Sequence, residues 1–405
     1  MITSGTLPAP RHITIVSETF APEVNGVANT LKHLCRGLCE RGHTVQVIRP
    51  RQKADRHTPE QEPGTPVLHH HLVKVPGLPL PGYPDLQFGL VRRQRLRALW
   101  RNQRPDLIYV ATQGPLGVSA VAAARSLGIP VCSGFHTNFH SYSRYYHAGF
   151  LSRMLEGYGR WFHNRTALTL VPTQAMITRV KAMGIRPVAL WSRGVDCQLF
   201  TPGKRDPQLR AQWGLQPQDR AVLYVGRLAS EKNLQLAVSC FERVRALHPS
   251  AKFVLVGDGP LRKRLQAQHP DYLFCGMRKG EDLARHYASG DLFLFPSKTD
   301  TFGNVVTEAM ASGLAVVAFN DAAASEHIRH QENGMVAALD DDEAFVEHAL
   351  TLAQQNTLLC NIRQQARLDA LDLDWSSQVE SFEQLTFTLN RRDRSHAITP
   401  GFPLL

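Results

Sequence analysis

Asp300 and Glu308 stand eight residues apart in "DLFLFPSKTDTFGNVVTEAMASG" (291–313), where an apolar run opens into an acidic, Gly-bearing turn. "DLFLFPS" reads as a buried strand and "GNVVTEAMAS" as a helix stopped by Gly313. Helical side chains lean toward the N-terminus, so Glu308 points back to the loop that carries Asp300. Gly303, at the helix entrance, leaves backbone N–H groups open to an anion. Two carboxylates flanking such donors suit a ligand that is both polyhydroxylated and phosphorylated. The alternative, a solvated helical Glu308, fits poorly with its apolar neighbours Val305, Val306 and Met310.

Cations follow an earlier strand. In "VGRLASEKN" (225–233) Arg227 comes directly after the strand, Ser230 is expected as a helix N-cap, and Lys232 falls in the first turn. A cation there opposes the helix dipole by a few tenths of a kcal/mol unless an anion is bound. Convergence of Arg227 and Lys232 on a diphosphate would explain the placement; an ordinary surface lysine is the alternative. Asn25 and Gly26 in "NGVANT" precede another helix and could bring backbone N–H groups to an anion, or form a plain turn. His136 closes a strand in "GFHTNFHSYSRYY" (134–146), placed to hydrogen-bond a sugar hydroxyl or meet developing charge; His140 could equally be a packed surface histidine.

Other clusters carry less. "HHH" (69–71) puts adjacent residues on different faces, "DDDE" (340–343) reads as a helix start, and "DLD" (372–374) lies at no strand end. None is taken as a metal site. Cys35 and Cys39, four apart on a helix, are read as core-facing in preference to metal-binding. "GDGP" (257–260) lacks the third glycine of a dinucleotide fingerprint, which disfavours a dehydrogenase.

The elements that must position these residues repeat one grammar in two halves. "HITIVSETF", "TVQVIRP", "PDLIYVATQ" and "IPVCSGFHT" read as buried strands of the first half, with helices between. "AVLYVGRLA", "AKFVLVGDG", "YLFCGM", "DLFLFPS" and "LAVVAFN" do so in the second. Alternation of this kind builds parallel βαβ units, whose ligands sit beyond the strands' carboxyl ends. The fold class is therefore α/β with two doubly wound, Rossmann-like domains. We expect them at 1–195 and 196–375, with 376–405 returning to the first. "TPGKRDPQLRAQWG" (201–214) is read as the join and "PGLPLPGYP" (76–84) as a loop.

A chain of 405 residues is long for one core, which agrees with two domains. Hydrophobic residues at 43% and no apolar run near the about twenty residues of a bilayer span fit a soluble protein without a visible export signal. Seven scattered cysteines fit the cytoplasm. A formal charge of +11 leaves nucleic acid, anionic membrane and anionic small molecules open, but no nucleic-acid signature occurs, so nucleic acid is not expected as a partner. "LVRRQRLRALWRNQR" (90–104) has six arginines and no acid, with Leu96, Leu99 and Trp100 on one helical face. It could lie on anionic headgroups at the inner membrane face, or pack on a sheet.

Four motifs in order, "ETFAPEVNGVA", "SRGVDCQLFTP", "VGRLASEKN" and "D-TFGNVVTE-A-ASG", together resemble glycosyltransferase family 4, retaining enzymes of GT-B architecture, over roughly residues 12–385. The resemblance implies two Rossmann-like domains facing across a cleft, and an acid–x7–Glu motif at Asp300 and Glu308. It gives the nucleotide ribose to Glu308 and the donor sugar to Asp300 and the backbone of Phe302, Gly303, Asn304 and Val305. Arg227 and Lys232 would hold the diphosphate, Asn25 and Gly26 would approach it, and His136 would meet the reacting sugar. It further implies transfer of a hexose, mannose or glucose, from GDP-mannose or a UDP-hexose to a lipid or glycan, with no metal or cofactor. Asp in place of a first Glu is similar to the branch of GDP-mannose-dependent α-mannosyltransferases and diacylglycerol sugar transferases; the first loop has Asn-Gly where that family has a glycine pair. A nucleotide-sugar 2-epimerase and a non-catalytic nucleotide-sugar binder share the architecture.

Overall fold

A computed structural model describes residues 9–23, 25–52, 55, 70–80, 83–136, 149–300 and 302–389. The chain divides into two compact units, 1–192 with 378–405, and 193–377.

The first unit is built on β1 (His12–Val16), β2 (Thr44–Pro50), β3 (His70–Val75), β4 (Gly77–Leu80), β5 (Tyr83–Gly89), β6 (Leu107–Val110), β7 (Val131–Gly134), β8 (Leu168–Val171) and β9 (Val188–Leu190). Seven of these form one sheet in the order β3-β2-β1-β6-β7-β8-β9, and all its pairs are parallel. The central strands are largely apolar, as in β6 (LIYV), the pattern of a parallel sheet covered on both faces. Strand order reverses between β1 and β6, so the loops after them diverge to opposite faces and leave a crevice. "PGLPLPGYP" is not a loop: its described residues contribute to the antiparallel hairpin β4–β5.

The helix Arg93–Asn102 buries Leu96 and Trp100 (2% and 0% exposed) against Val110, Leu116 and Val121, with Leu99 packed beside them. Burying such side chains contributes roughly 2–3 kcal/mol each. The apolar stripe is therefore core, and only the arginine face meets solvent. Cys35 is likewise fully buried, among Leu31, Leu34 and Leu38. The helix Trp375–Phe387 packs Val379 and Phe382 into the first unit's core. Its Glu383, 3% exposed, accepts from Arg41 at 2.7 and 2.9 Å and lies 3.0 Å from His43 Nε2.

The second unit holds β10 (Ala221–Val225), β11 (Lys252–Val256), β12 (Leu273–Gly276), β13 (Leu292–Phe295), β14 (Ala315–Phe319) and β15 (Met335–Ala337). They form a parallel sheet in the order β12-β11-β10-β13-β14-β15, reversing between β10 and β13. The stretch 201–214 lies inside this unit, where Leu209 and Trp213 join the core. Asp291, at the foot of β13, gathers Arg205 (2.8 Å), Arg210 (3.0 Å) and Arg363 (3.2 Å). Burial raises its pKa, but these three guanidiniums outweigh that and hold it below the usual carboxylate range. "DDDE" is a helix start, with Asp341 accepting from the Ala344 N–H at 3.0 Å.

Candidate active site

In the second unit the loops after the switch-point strands β10 and β13 meet. Lys232 Nζ donates to both carboxylate oxygens of Asp300 at 2.8 Å, and Thr299 Oγ1 donates to the Glu231 carbonyl at 3.2 Å. Both partners of the ion pair are about a fifth exposed at the side chain, 20% and 23%. Each therefore remains within reach of a ligand. The local fold under Lys232 differs from expectation. Ser230 caps no helix: Ser230–Lys232 is a short 3-10 turn, Asn233 adopts a left-handed conformation (φ 52°), and the helix starts only at Leu234. Lys232 is thus presented by a turn ahead of the helix. Arg227 does not join it; its side chain is 65% exposed and lies 3.7 Å from Glu231.

The helix Asn304–Ala311 begins beside this pair. Gly303 has φ 81°, and a Cβ there would come within 3.1 Å of the Phe295 ring, so glycine is required at the entrance. Among the described residues no side chain caps this helix. Phe302 is buried, its carbonyl accepting from the Ala323 N–H at 2.7 Å. Arg193, itself 6% exposed, places its guanidinium 5.3 Å from the Phe302 ring and donates to Asn304 Oδ1 at 3.3 Å. Asn304 and Val305 are half-buried.

Glu308 lies one turn further in. Tyr287, fully buried, donates to Glu308 Oε2 at 3.0 Å. Burial pushes the Glu308 carboxyl up to about 7, against the lowering effect of the Tyr287 hydroxyl. A carboxylate held this way ionises readily when a ligand offers hydroxyl donors.

In the first unit Asn25 caps the helix Gly26–Glu40: its Oδ1 accepts from the Ala28 N–H at 2.9 Å. That N–H is therefore taken by the cap and is not open to an anion. His136, 7% exposed, sits two residues after β7 with Nε2 2.6 Å from the Tyr109 hydroxyl. A Cβ at Gly134 would fall 2.4 Å from that Nε2, so glycine permits the close approach. His140 lies outside the described residues, as does His69. Among the described residues no three His, Cys, Asp or Glu side chains converge as a metal site.

The second unit thus brings Lys232, Asp300 and the Gly303 entrance together, sets Glu308 one turn into the helix that begins there, against Tyr287, and leaves Arg227 exposed beside Glu231. Sequence reasoning missed Tyr287, Arg193 and Tyr109. Arg193 had a signal, since "SRGVD" belongs to one of the four motifs, but no chemistry was attached to it. Tyr287 had none, because only folding brings its helix to Glu308.

Comparison with known proteins bears on the whole chain. The family model "Glycosyltransferase Family 4" matches residues 24–199 and "Glycosyl transferases group 1" matches 219–355. A GDP-mannose-dependent alpha-mannosyltransferase of Corynebacterium glutamicum is 34% identical over 332 residues, covering 82% of this chain and 78% of the relative. The chain belongs to glycosyltransferase family 4. This glycosyltransferase is also 28% identical over 409 residues to the sulfoquinovosyl transferase SQD2 of Arabidopsis thaliana, covering 97% of this chain and 78% of that one. In fold it is similar to the crystal structure of Anabaena Alr3699/HepE in complex with UDP (TM-score 0.74, 19% identity, covering 93% of this chain and 100% of that chain). The sucrose-phosphate synthase of Thermosynechococcus elongatus gives the same TM-score, 0.74, at 18% identity, covering 94% and 100%. The architecture is GT-B, two Rossmann-like domains.

Proposed function

We propose that this glycosyltransferase moves a hexose, mannose before glucose, from a nucleotide diphosphate sugar to a lipid or glycan acceptor with retention at the anomeric carbon. The observation that carries the reading is the Lys232–Asp300 pair set against the uncapped entrance at Gly303, with Glu308 one turn behind. Glu308 takes the ribose hydroxyls. Asp300 and the backbone at Phe302, Gly303, Asn304 and Val305 take the sugar. Lys232 leaves Asp300 for the diphosphate, and Arg227, exposed and, among the described residues, paired only with Glu231 at 3.7 Å, joins it there. Asn25 and Gly26 are assigned to the diphosphate and His136 to the reacting sugar.

Breaking the sugar–phosphate bond builds positive charge on the sugar and negative charge on the leaving diphosphate. Two cations and a helix N-terminus stabilise the latter, which is the electrostatic work such a reaction requires. The leaving phosphate then helps deprotonate the acceptor on the same face of the sugar. Identity with GDP-mannose-dependent relatives supports GDP and mannose. Offering GDP- and UDP-hexoses with a cell lipid extract, and reading products by mass, tests this. A hexosylated product from GDP-mannose is expected. Sugar released as an epimer from donor alone, or tight donor binding without turnover, would replace transfer by epimerisation or by binding alone.

We place the enzyme at the cytoplasmic face of an anionic membrane, adsorbed by charge. Arg92, Arg93, Arg95 and Arg101 are exposed while Leu96 and Trp100 are core, so this helix offers cations and no insertion anchor. No described helix is long and apolar enough to cross a membrane. Flotation on anionic vesicles is expected at low salt and lost at high salt. Binding unchanged by salt at about 0.5 M, or by replacing these arginines with Gln, contradicts the placement.

A further inference from the structure

At the carboxyl ends of β1 and β2, beside the cap of the helix Gly26–Glu40, three polar side chains form a cluster with unmet hydrogen-bonding capacity. The Phe20 carbonyl ties it together, accepting from the Glu23 N–H and from Gln52 Nε2, each at 3.1 Å. That bond fixes the Gln52 amide, because only the NH2 end can donate to a carbonyl. Gln52 Oε1 therefore faces the other way. Among the described residues it is buried without a hydrogen-bond partner, as are Glu23 Oε1 and Arg49 Nε. Gln52 and Arg49 are 5% and 2% exposed. A buried polar atom that stays dry and unmatched costs stability, so each of these calls for a partner. The same side chains are otherwise fully engaged. Arg49 donates to Asp55 at 2.6 and 2.7 Å and to the Pro50 carbonyl at 2.8 Å. The other Glu23 oxygen accepts from Thr19, whose hydroxyl oxygen in turn accepts from Asn25 Nδ2 at 2.6 Å.

We propose that Glu23, Arg49 and Gln52 are the acceptor site of this transferase, and that it takes vicinal hydroxyls of a neutral polyol. The unmet set is two acceptors and one donor. A diol supplies two O–H donors, to Glu23 and Gln52, and an oxygen for the Arg49 N–H. A phosphate supplies no donor, would find a single N–H, and would face two oxygens. Charge agrees: Arg49 and Lys74 are balanced by Asp55, 3.3 Å from Lys74, and by Glu23, so the cluster carries no net attraction for an anion. This rests on the transferase reading and names its second substrate: a sugar or polyol headgroup with adjacent free hydroxyls.

The test separates the two. Saturation-transfer NMR without donor, using methyl α-D-mannopyranoside and methyl phosphate (a phosphate with no hydroxyl pair) as probes, reads the site whether or not GDP-mannose is ever consumed. Wild type should bind the mannoside and not the phosphate. In turnover with the mannoside, Gln52→Leu and Arg49→Lys should raise the acceptor KM at least about tenfold, as expected for one lost hydrogen bond to a charged or buried partner. The donor KM should stay at its wild-type value in both variants, measured well below each variant's own melting temperature, since both changes also remove buried hydrogen bonds. Arg49→Lys keeps the charge opposite Asp55, so a variant that folds is expected. Preference for methyl phosphate, or an unchanged acceptor KM in both variants, overturns the assignment. Mannoside binding with no transfer from any donor leaves the site standing and removes the transferase reading beneath it.

Discussion

Replacing Glu308 by Gln should stabilise the enzyme, and more so as pH rises. Burial holds this carboxyl at about 7, against an ordinary 4.5. A raised acid favours the folded state fully below the ordinary value, and that contribution is lost as pH climbs through the folded one. At 1.36 kcal/mol per tenfold, linkage removes about 2.5 kcal/mol between pH 5 and pH 8, with little further change above. The amide keeps the shape and can still accept from Tyr287, but has no charge to desolvate. The gap in stability between Glu308→Gln and wild type should therefore widen by about 2.5 kcal/mol over that range, or about 5–10 °C in melting temperature for a unit of this size. Calorimetric scans of both proteins from pH 5 to pH 8.5, without nucleotide, measure it. Parallel curves would refute the desolvation argument and with it the picture of Glu308 as a carboxylate held ready for ribose hydroxyls. Adding GDP should reverse the order above pH 7, because the ribose hydroxyls donate more strongly to the wild-type carboxylate than to an amide oxygen in its place.

Asp300→Asn should bind GDP several-fold more tightly while turning over far more slowly, since Lys232 no longer has a competing carboxylate 2.8 Å away. Titration calorimetry beside initial rates checks this, and weaker GDP binding would sink it. Asp291→Asn should cost the second unit about 3–5 kcal/mol, because three arginines lose a buried counter-charge; a melting temperature within about 2 °C of wild type would show the cluster to be dispensable. Arg193→Ala should raise the donor KM and add little to the effect of Asn304→Ala, the pair being in contact; full additivity would separate them.

The central strands of both sheets were legible because parallel strands covered on two faces are uninterrupted apolar runs, as in "AVLYV" and "AVVAF". What escaped was mostly peripheral; the exception is β8, which pairs on both sides with β7 and β9 but spans only four residues, Leu168–Val171. β9 and β15 span three residues each, too short for a period, and β3 reads "HHLVKV" with mixed polarity. β4 and β5 carry Pro79 and Pro84, which sequence rules assign to loops. The stripe Leu96/Trp100 has the same pattern whether it faces lipid or a sheet, and only the fold distinguishes them. Within the site, Asp300, Lys232 and Glu308 were visible because strand ends and helix entrances can be read locally. The late helix start was not, because nothing in "SEKNL" announces that Asn233 turns left-handed. The contacts made by Tyr287 and Arg193 join segments 21 and 111 residues apart.

The central claim is that the second unit holds the donor through Lys232 and the acid pair. The initial rate of mannosyl transfer from GDP-mannose by a Lys232→Ala protein that melts where wild type does tests it most directly. The account predicts a loss of at least about a hundredfold, the scale of removing one preorganised charge from a developing anion; a wild-type rate in that folded variant would contradict it.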